Sequence, residues 1–177
     1  STRSKWSSSL ENQLDRRLAL EQTGFTVTSL YRPFHRQNVY FDSQLNHRRY
    51  QLQTIFPTPV HRNIGFYQVG NGSAIPFSVI ATNLLPDLHV TGAGSGGQYF
   101  PRFTWAAVEA DDGGLFGEGT AVKQGEASVY GSIGEVVDGY VRVDNITDEI
   151  KALYRDALGS DITGDDIFHF VYGKLHD

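Results

Sequence analysis

Residues 76–105, PFSVIATNLLPDLHVTGAGSGGQYFPRFTW, constrain the fold more than any other stretch. Phe77, Val79 and Ala81 alternate with Ser78, Ile80 and Thr82, a period of two that predicts a strand buried on at least one face. Pro86 interrupts the pattern, and Leu88 and Val90 then alternate with His89 and Thr91, which predicts a second extended run. Beyond a glycine-rich loop, Tyr99, Phe103 and Trp105 share one face, with Phe100, Arg102 and Thr104 on the other. The reading is an antiparallel pair, or two strands of one sheet, joined by a loop over residues 92–97. One face carries the core, and the other presents His89 and Arg102 to a partner.

That loop spells GxGxxG through Gly92, Gly94 and Gly97. A dinucleotide fingerprint needs a helix directly after the glycines, because the helix N-terminus holds the pyrophosphate. An aromatic, proline-containing run follows here, so the glycines read as an exposed loop without a nucleotide.

The rest of the chain sorts around this centre. With Ser8 and Glu11 spaced as a capping box, Leu10, Leu14 and Leu18 predict a helix over residues 9–22 that Gly24 ends. Strands are expected over residues 25–31, from Val39 and over residues 64–69, with a tight turn at Asn71-Gly72. Residues 109–140 are rich in Gly, Glu, Asp and Ser and read as a variable connector carrying short strands; residues 140–143 read as a last strand. Two helices close the chain, one capped by Thr147 and ended by Gly159, the other capped by Thr163 with Asp166. Ile150, Leu153, Tyr154, Ala157 and Leu158 form an apolar stripe on the first, and Ile167, Val171 and Leu175, flanked by Phe168 and Tyr172, on the second. Both are read as packing surfaces. The expected class is therefore α+β: a central, mainly antiparallel sheet with an N-terminal helix and a C-terminal helical pair. The expected division is a β-rich domain over residues 1–143 and a truncated helical segment over residues 144–177.

Composition narrows function chiefly by exclusion. The chain has 177 residues, 40% hydrophobic and 20% charged, with no cysteine and no methionine. It is globular by composition, and neither disulfides, nor thiolate metal sites, nor a cysteine nucleophile are available to it. The lack of methionine, and a last helix that runs to the end, read as a piece of a longer protein. No run spans a membrane and none resembles a signal peptide, so a cytoplasmic protein without a membrane partner is expected. A P-loop, an HExxH pair and a GxSxG elbow are all missing, and the histidines lack metal-ligand spacing. Glu149-Ile150-Lys151, with Asp138 and Asp144 upstream, resembles a magnesium-binding D…ExK arrangement. It falls in the first turn of a helix, where acidic residues have a simpler explanation in the helix dipole.

The charge is unevenly placed. Up to Val108 there are ten Lys and Arg against five Asp and Glu; from Glu109 onward there are five against fifteen, which together give the net charge of −5. Arg32, His35, Arg36, His47, Arg48, Arg49, His61, Arg62 and Arg102 fall at turns and strand edges among Tyr31, Phe34, Tyr40, Tyr50, Tyr67 and Tyr99. Cations for phosphates and planar groups for bases are what nucleic-acid contact requires. The same residues also fit a polar surface around an aromatic core, and the pI near 5.6 is not that of a basic DNA-binding domain.

An ordered set of motifs then carries a family resemblance. Tyr31-Arg32-Pro33-Phe34, Val39-Tyr40-Phe41-Asp42, Arg49-Tyr50-Gln51-Leu52 and Ile55-Phe56-Pro57-Thr58 come first. Pro76-Phe77-Ser78-Val79, Leu85-Pro86-Asp87-Leu88 and Gln98-Tyr99-Phe100-Pro101 follow. Asn145-Ile146-Thr147-Asp148, Asp165-Asp166-Ile167-Phe168 and Val171-Tyr172-Gly173-Lys174-Leu175-His176 close it. Together they resemble the C-terminal region of bacterial single-polypeptide Type I (type ISP) restriction-modification enzymes, over nearly the whole chain. Residues 92–97 and 109–140 are longer than that pattern. The resemblance implies a target-recognition module following nuclease, helicase-like ATPase and adenine-N6 methyltransferase parts. It implies no catalytic or metal residue and no cofactor in this piece, with ATP, Mg and S-adenosylmethionine used by the parent chain. The implied partners are double-stranded DNA and other domains of the same chain.

On this reading Arg32, Arg36, Arg48, Arg49 and Arg62 contact phosphates, and His35, Gln37, Asn38 and Arg102 are candidates for reading bases. The alternative is a structural coupling domain that docks on the methyltransferase or ATPase and touches DNA little. If the first reading is right, replacing Arg48 and Arg49 by alanine weakens binding of all DNA sequences and lowers the salt slope by about one unit per lost phosphate contact, measured by titration at several salt concentrations.

Overall fold

The computed structural model describes residues 11–12, 15–16, 19, 23–46, 49–92, 96–108 and 133–177, and no helix among them is long and apolar enough to cross a membrane. Most of the expected N-terminal helix, most of the glycine loop and most of the acidic connector lie outside the described residues. Glu11, Asn12 and Asp15 are helical where that first helix was expected.

Among the described residues, three three-stranded sheets form the body. The first has β1 (Phe25–Arg32), β2 (His35–Phe41) and β5 (Leu85–Pro86) in the order β2-β1-β5. The second has β3 (Gly65–Val69), β4 (Val79–Thr82) and β6 (Gly97–Pro101) in the order β4-β3-β6. The third has β7 (Phe103–Ala107), β8 (Ile133–Val137) and β9 (Tyr140–Asp144) in the order β7-β9-β8. A short helix α1 (Leu52–Ile55) and two terminal helices, α2 (Asp148–Leu158) and α3 (Gly164–Lys174), complete it. All pairings are antiparallel except β1 with β5.

The central sheet is the one read from the sequence, but its two outer strands do not pair with each other. β4 and β6 both pair with β3, Tyr67 lying opposite Ile80 on one side and Tyr99 on the other. The extended run expected over residues 88–91 is a turn instead. The strand falls earlier, at Leu85–Pro86, on the edge of the first sheet, where the missing proline N–H costs no ladder bond. Val90 is nonetheless fully buried, packed with Leu30 and Tyr67.

β3 is covered on both faces. Phe66 packs against Phe100, Phe168 and Tyr172, so α3 lies over one side, and the Tyr172 hydroxyl accepts from the Ala81 N–H at 3.1 Å. On the other side Tyr67 and Tyr99 join the first sheet to the second, Tyr99 packing against both buried clusters. Two glycines make room for these rings: a Cβ at Gly97 would run into the Tyr67 ring, and one at Gly65 into the Tyr99 ring. Asn63 is buried and fully bonded. Its amide donates to the carbonyls of Ile55 (3.2 Å) and Phe103 (2.7 Å), while its oxygen accepts from Ile64 and Phe103, so α1 is stitched to β7.

The terminal helices start and stop where their caps place them. The Thr147 side chain accepts from the Ile150 N–H, and Thr163 with Asp166 forms a reciprocal capping box. The faces differ from expectation on α2. Its buried residue is Lys151, whereas Ile150, Leu153 and Leu158 are exposed, Leu153 at 64%. Lys151 is drawn in by carboxylates, and the helix turns with it. The stripe on α3 is buried at Ile167 and Phe168.

Arg102 breaks the run between β6 and β7 and passes the chain from the second sheet to the third. It is only 5% exposed. Its guanidinium pairs with Asp144 at the end of β9 through both terminal nitrogens and with Asp165 in the first turn of α3 at 2.8 Å. Asp144 also accepts from Lys151 of α2 at 2.9 Å. Gly164 lies so close that a Cβ there would meet the guanidinium. Removing one partner of such a buried pair leaves a charge uncompensated, so Arg102→Ala is expected to cost about 3–5 kcal/mol, read from urea denaturation.

The same cluster sets an acid limit. Burial by itself would raise the Asp144 pKa, but hydrogen bonds from Arg102, the Ile146 N–H and Lys151 outweigh it and hold the group below the usual carboxylate range. Asp42 behaves alike: burial is opposed by the N–H groups of Gln44 and Leu45 and by Thr23. A carboxylate depressed by folding adds stability that is complete above its unfolded pKa and lost as pH falls through the folded value. Unfolding free energy is therefore expected to decline below pH about 4, with a shallower acid decline in Asp144→Asn, measured by denaturant titration across the acid range.

Candidate nucleic-acid interface

The residues expected to meet a partner divide into those the fold presents and those it uses internally. The β1–β2 hairpin presents most of them. Arg32 pairs with His35 across its end, Leu30 with Arg36, Ser29 with Gln37 and Thr28 with Asn38. His35, Arg36, Gln37 and Asn38 are all exposed, and no carboxylate occurs within either strand. Period two separates them by face: His35 and Gln37 point one way, Arg36 and Asn38 the other.

Arg32 is partly committed. Its guanidinium lies 4.2 Å from the Tyr31 ring centroid, donates to the carbonyls of Tyr31 (2.9 Å) and His89 (2.5 Å), and stands 3.7 Å from Asp87. This ties the hairpin to the turn after β5. His35 meets the Tyr31 ring edge-on at 5.8 Å.

Arg49 and Gln37 share an open cleft of about 870 Å³ between the first and second sheets. Asn46, Gln51 and Gln98 add polar groups to its lining, Tyr50, Tyr99 and Phe100 add rings, and Asp87 adds one carboxylate. Arg49 also lies over the Phe41 ring at 5.7 Å. Arg48 and His47 lie outside the described residues. Arg62 is exposed, between two buried neighbours that face the third sheet: Asn63, and His61, whose Nε2 donates to the Val137 carbonyl at 2.9 Å while Nδ1 accepts from Thr58 at 2.7 Å. The carbonyl can only accept, which fixes that tautomer.

Arg102 is the departure. It was read as facing a partner, but it is buried and its donors go to Asp144 and Asp165. The alternation that put it on an outer face assumed one continuous strand, whereas the chain changes sheet at this residue. The D…ExK pattern resolves in the same place. Asp144 and Lys151 do meet, but as an ion pair with Arg102 as second cation, while Glu149 is exposed. Among the described residues no cluster of His, Asp and Glu suited to a metal is found. Gly97 opens a strand and not a helix, so the glycines lack the helix N-terminus that nucleotide binding needs.

Two of the aromatic residues expected among the basic groups, Phe34 and Tyr50, lie at this surface in a backbone conformation that the sequence reading did not anticipate. Phe34 at the hairpin turn has φ +64° and Tyr50 at the cleft has φ +49°, both in the left-handed region, and both are exposed. Pro33 at the first turn position, followed by a residue needing positive φ, is the pattern of a type II turn and was the available signal.

Solved structures share this fold. The ATP-dependent Type ISP restriction-modification enzyme LlaBIII bound to DNA aligns over 97% of this chain and 9% of that one, with 22% identity and a TM-score of 0.68. A DrdV–DNA complex aligns over 94% of this chain and 13% of that one, with 30% identity and a TM-score of 0.64. A nuclease-deletion mutant of the Type ISP enzyme LlaGI, in complex with a DNA substrate mimic, aligns over 97% of this chain and 10% of that one, with 24% identity and a TM-score of 0.60. The chain thus spans about a tenth of the length of these proteins. No curated protein sequence matches it. The family model for the Type ISP C-terminal specificity domain matches residues 1–177, and the chain belongs to that family.

Proposed function

We propose that this chain recognises a DNA target sequence on behalf of a longer restriction-modification enzyme, and that it carries no catalytic step itself. The observation that carries the reading is the β1–β2 hairpin, where His35, Arg36, Gln37 and Asn38 stand exposed in succession without a carboxylate. Donors of two kinds are needed there: guanidinium for phosphates, which position the duplex, and amides for base edges, which specify it. The DNA-bound structures of LlaBIII, DrdV and LlaGI, with folds like this one, support the same reading.

In this reading Arg36, Arg49 and Arg62 contact phosphates, with Arg48 beside Arg49 in sequence. Arg32 contributes less, because Asp87 and the His89 carbonyl already engage it. Gln37 and Asn38 read bases from opposite faces of β2, and Arg102 holds the scaffold. Catalysis, and the ATP, Mg and S-adenosylmethionine that serve it, belong to other parts of the longer, cytoplasmic enzyme.

The exposed stripe Ile150, Leu153 and Leu158 on α2 favours a second role, docking on a neighbouring part of that enzyme. The two roles are compatible unless DNA binding fails altogether. A mobility-shift titration of the chain with duplex DNA is expected to show binding that falls as salt rises. Arg36→Ala should weaken all sequences and reduce the slope of log K against log salt by about 0.9. Asn38→Ala or Gln37→Ala should cost about 1–3 kcal/mol at the preferred site only. No binding at low salt would leave docking as the better account.

A further inference from the structure

We propose that Phe34 is a base-stacking wedge, its ring stacking on nucleobases at an opened step of the bound duplex. This deepens the DNA-recognition reading above and rests on it.

Phe34 has 94% of its surface in solvent, at the tip of the hairpin between β1 and β2. Its φ of +64° lies where glycine or asparagine is the usual choice. Either would make the turn with less strain and without exposing an aromatic ring. Folding therefore gains nothing from this ring, and its use lies outside the chain's own core. The turn is also stiff: Pro33 fixes the preceding φ, and strand pairing resumes at once with Arg32 opposite His35.

The surroundings define what the ring meets. Tyr31 and His35, on either side of the turn in sequence, pack edge to face, the Arg32 guanidinium lies over Tyr31, and Arg36 follows on β2. Neither strand nor the turn has a carboxylate. A projecting ring backed by planar groups and cations fits a stack of bases flanked by phosphates. An apolar protein groove would meet the ring equally well but would give the cations no counterpart.

The test uses the 177-residue chain and a duplex that the wild-type chain selects from a randomised pool. Phe34→Ala is expected to weaken binding about 5- to 150-fold while leaving the salt slope unchanged, because a stacking ring releases no counterions. Phe34→Trp is expected to restore affinity, and its added fluorescence, relative to wild type, to be quenched by the duplex. Phe34→Gly should melt no lower than wild type, since it relieves the positive φ, yet bind as weakly as Phe34→Ala. If the wild-type chain binds DNA but Phe34→Ala binds equally well, or the Phe34→Trp signal does not change, the wedge is wrong, the DNA reading survives, and the ring is left to a protein partner. If the wild-type chain selects no duplex, the DNA reading fails and the wedge with it.

Discussion

The arrangement depends most on one buried cation, Arg102. It lies where the chain leaves the second sheet for the third, and it binds the carboxylate that ends β9 and one from the first turn of α3. Lys151 brings α2 to the same Asp144 carboxylate. Strands distant in sequence and both terminal helices thus converge on a few charged atoms. Ion pairs of this kind contribute little net stability against an apolar alternative, but they penalise every arrangement that leaves a charge unpaired. Their effect here is to fix the register between sheets and helices, on which a recognition surface depends.

The presented surface has its own brace. β1 and β2 pair from Phe25–Phe41 to Arg32–His35 with one irregularity at Tyr31, and Arg32 ties the hairpin end back to the His89 carbonyl and to Asp87. The exposed side chains of β2 are therefore held on a braced ladder. Sites on strands are positioned more closely than sites on free loops, which suits the proposed reading of base edges from this surface. Among the described residues, Asp148, Glu149, Asp156, Asp165 and Asp166 lie on α2 and α3, and at the Arg102 cluster two carboxylates are paired with a guanidinium.

Period-two runs made β3, β4, β6 and β9 legible in the sequence, and the caps at Thr147 and Thr163 placed α2 and α3 to within a residue or two. Those signals are local. The failures came where a distant partner decides. Arg102 sits in an alternating run, and nothing nearby announces that the run crosses between sheets. Lys151 interrupts an apolar stripe, and only the presence of Asp144 and Asp148 beneath it makes the polar side the buried one. The run after Pro86 alternates well, yet Tyr67 takes the Leu88 carbonyl at 2.7 Å and the chain turns there. Of the candidate interface, the contiguous donors over residues 32–38 could be read, but they were expected between two strands, whereas pairing with β1 carries β2 back to His35. The cleft joining Gln37 to Arg49 could not be read, because a packed helix and two sheets create it.

In the proposed function DNA is met by the β1–β2 hairpin and the adjoining cleft. Amide hydrogen exchange of the chain, with and without a duplex that it has selected, tests this most directly. Slowed exchange is expected over residues 31–38 and around residues 49–51, with α2 and the third sheet unchanged. Protection confined to α2 and α3, with the hairpin unaffected, would contradict it.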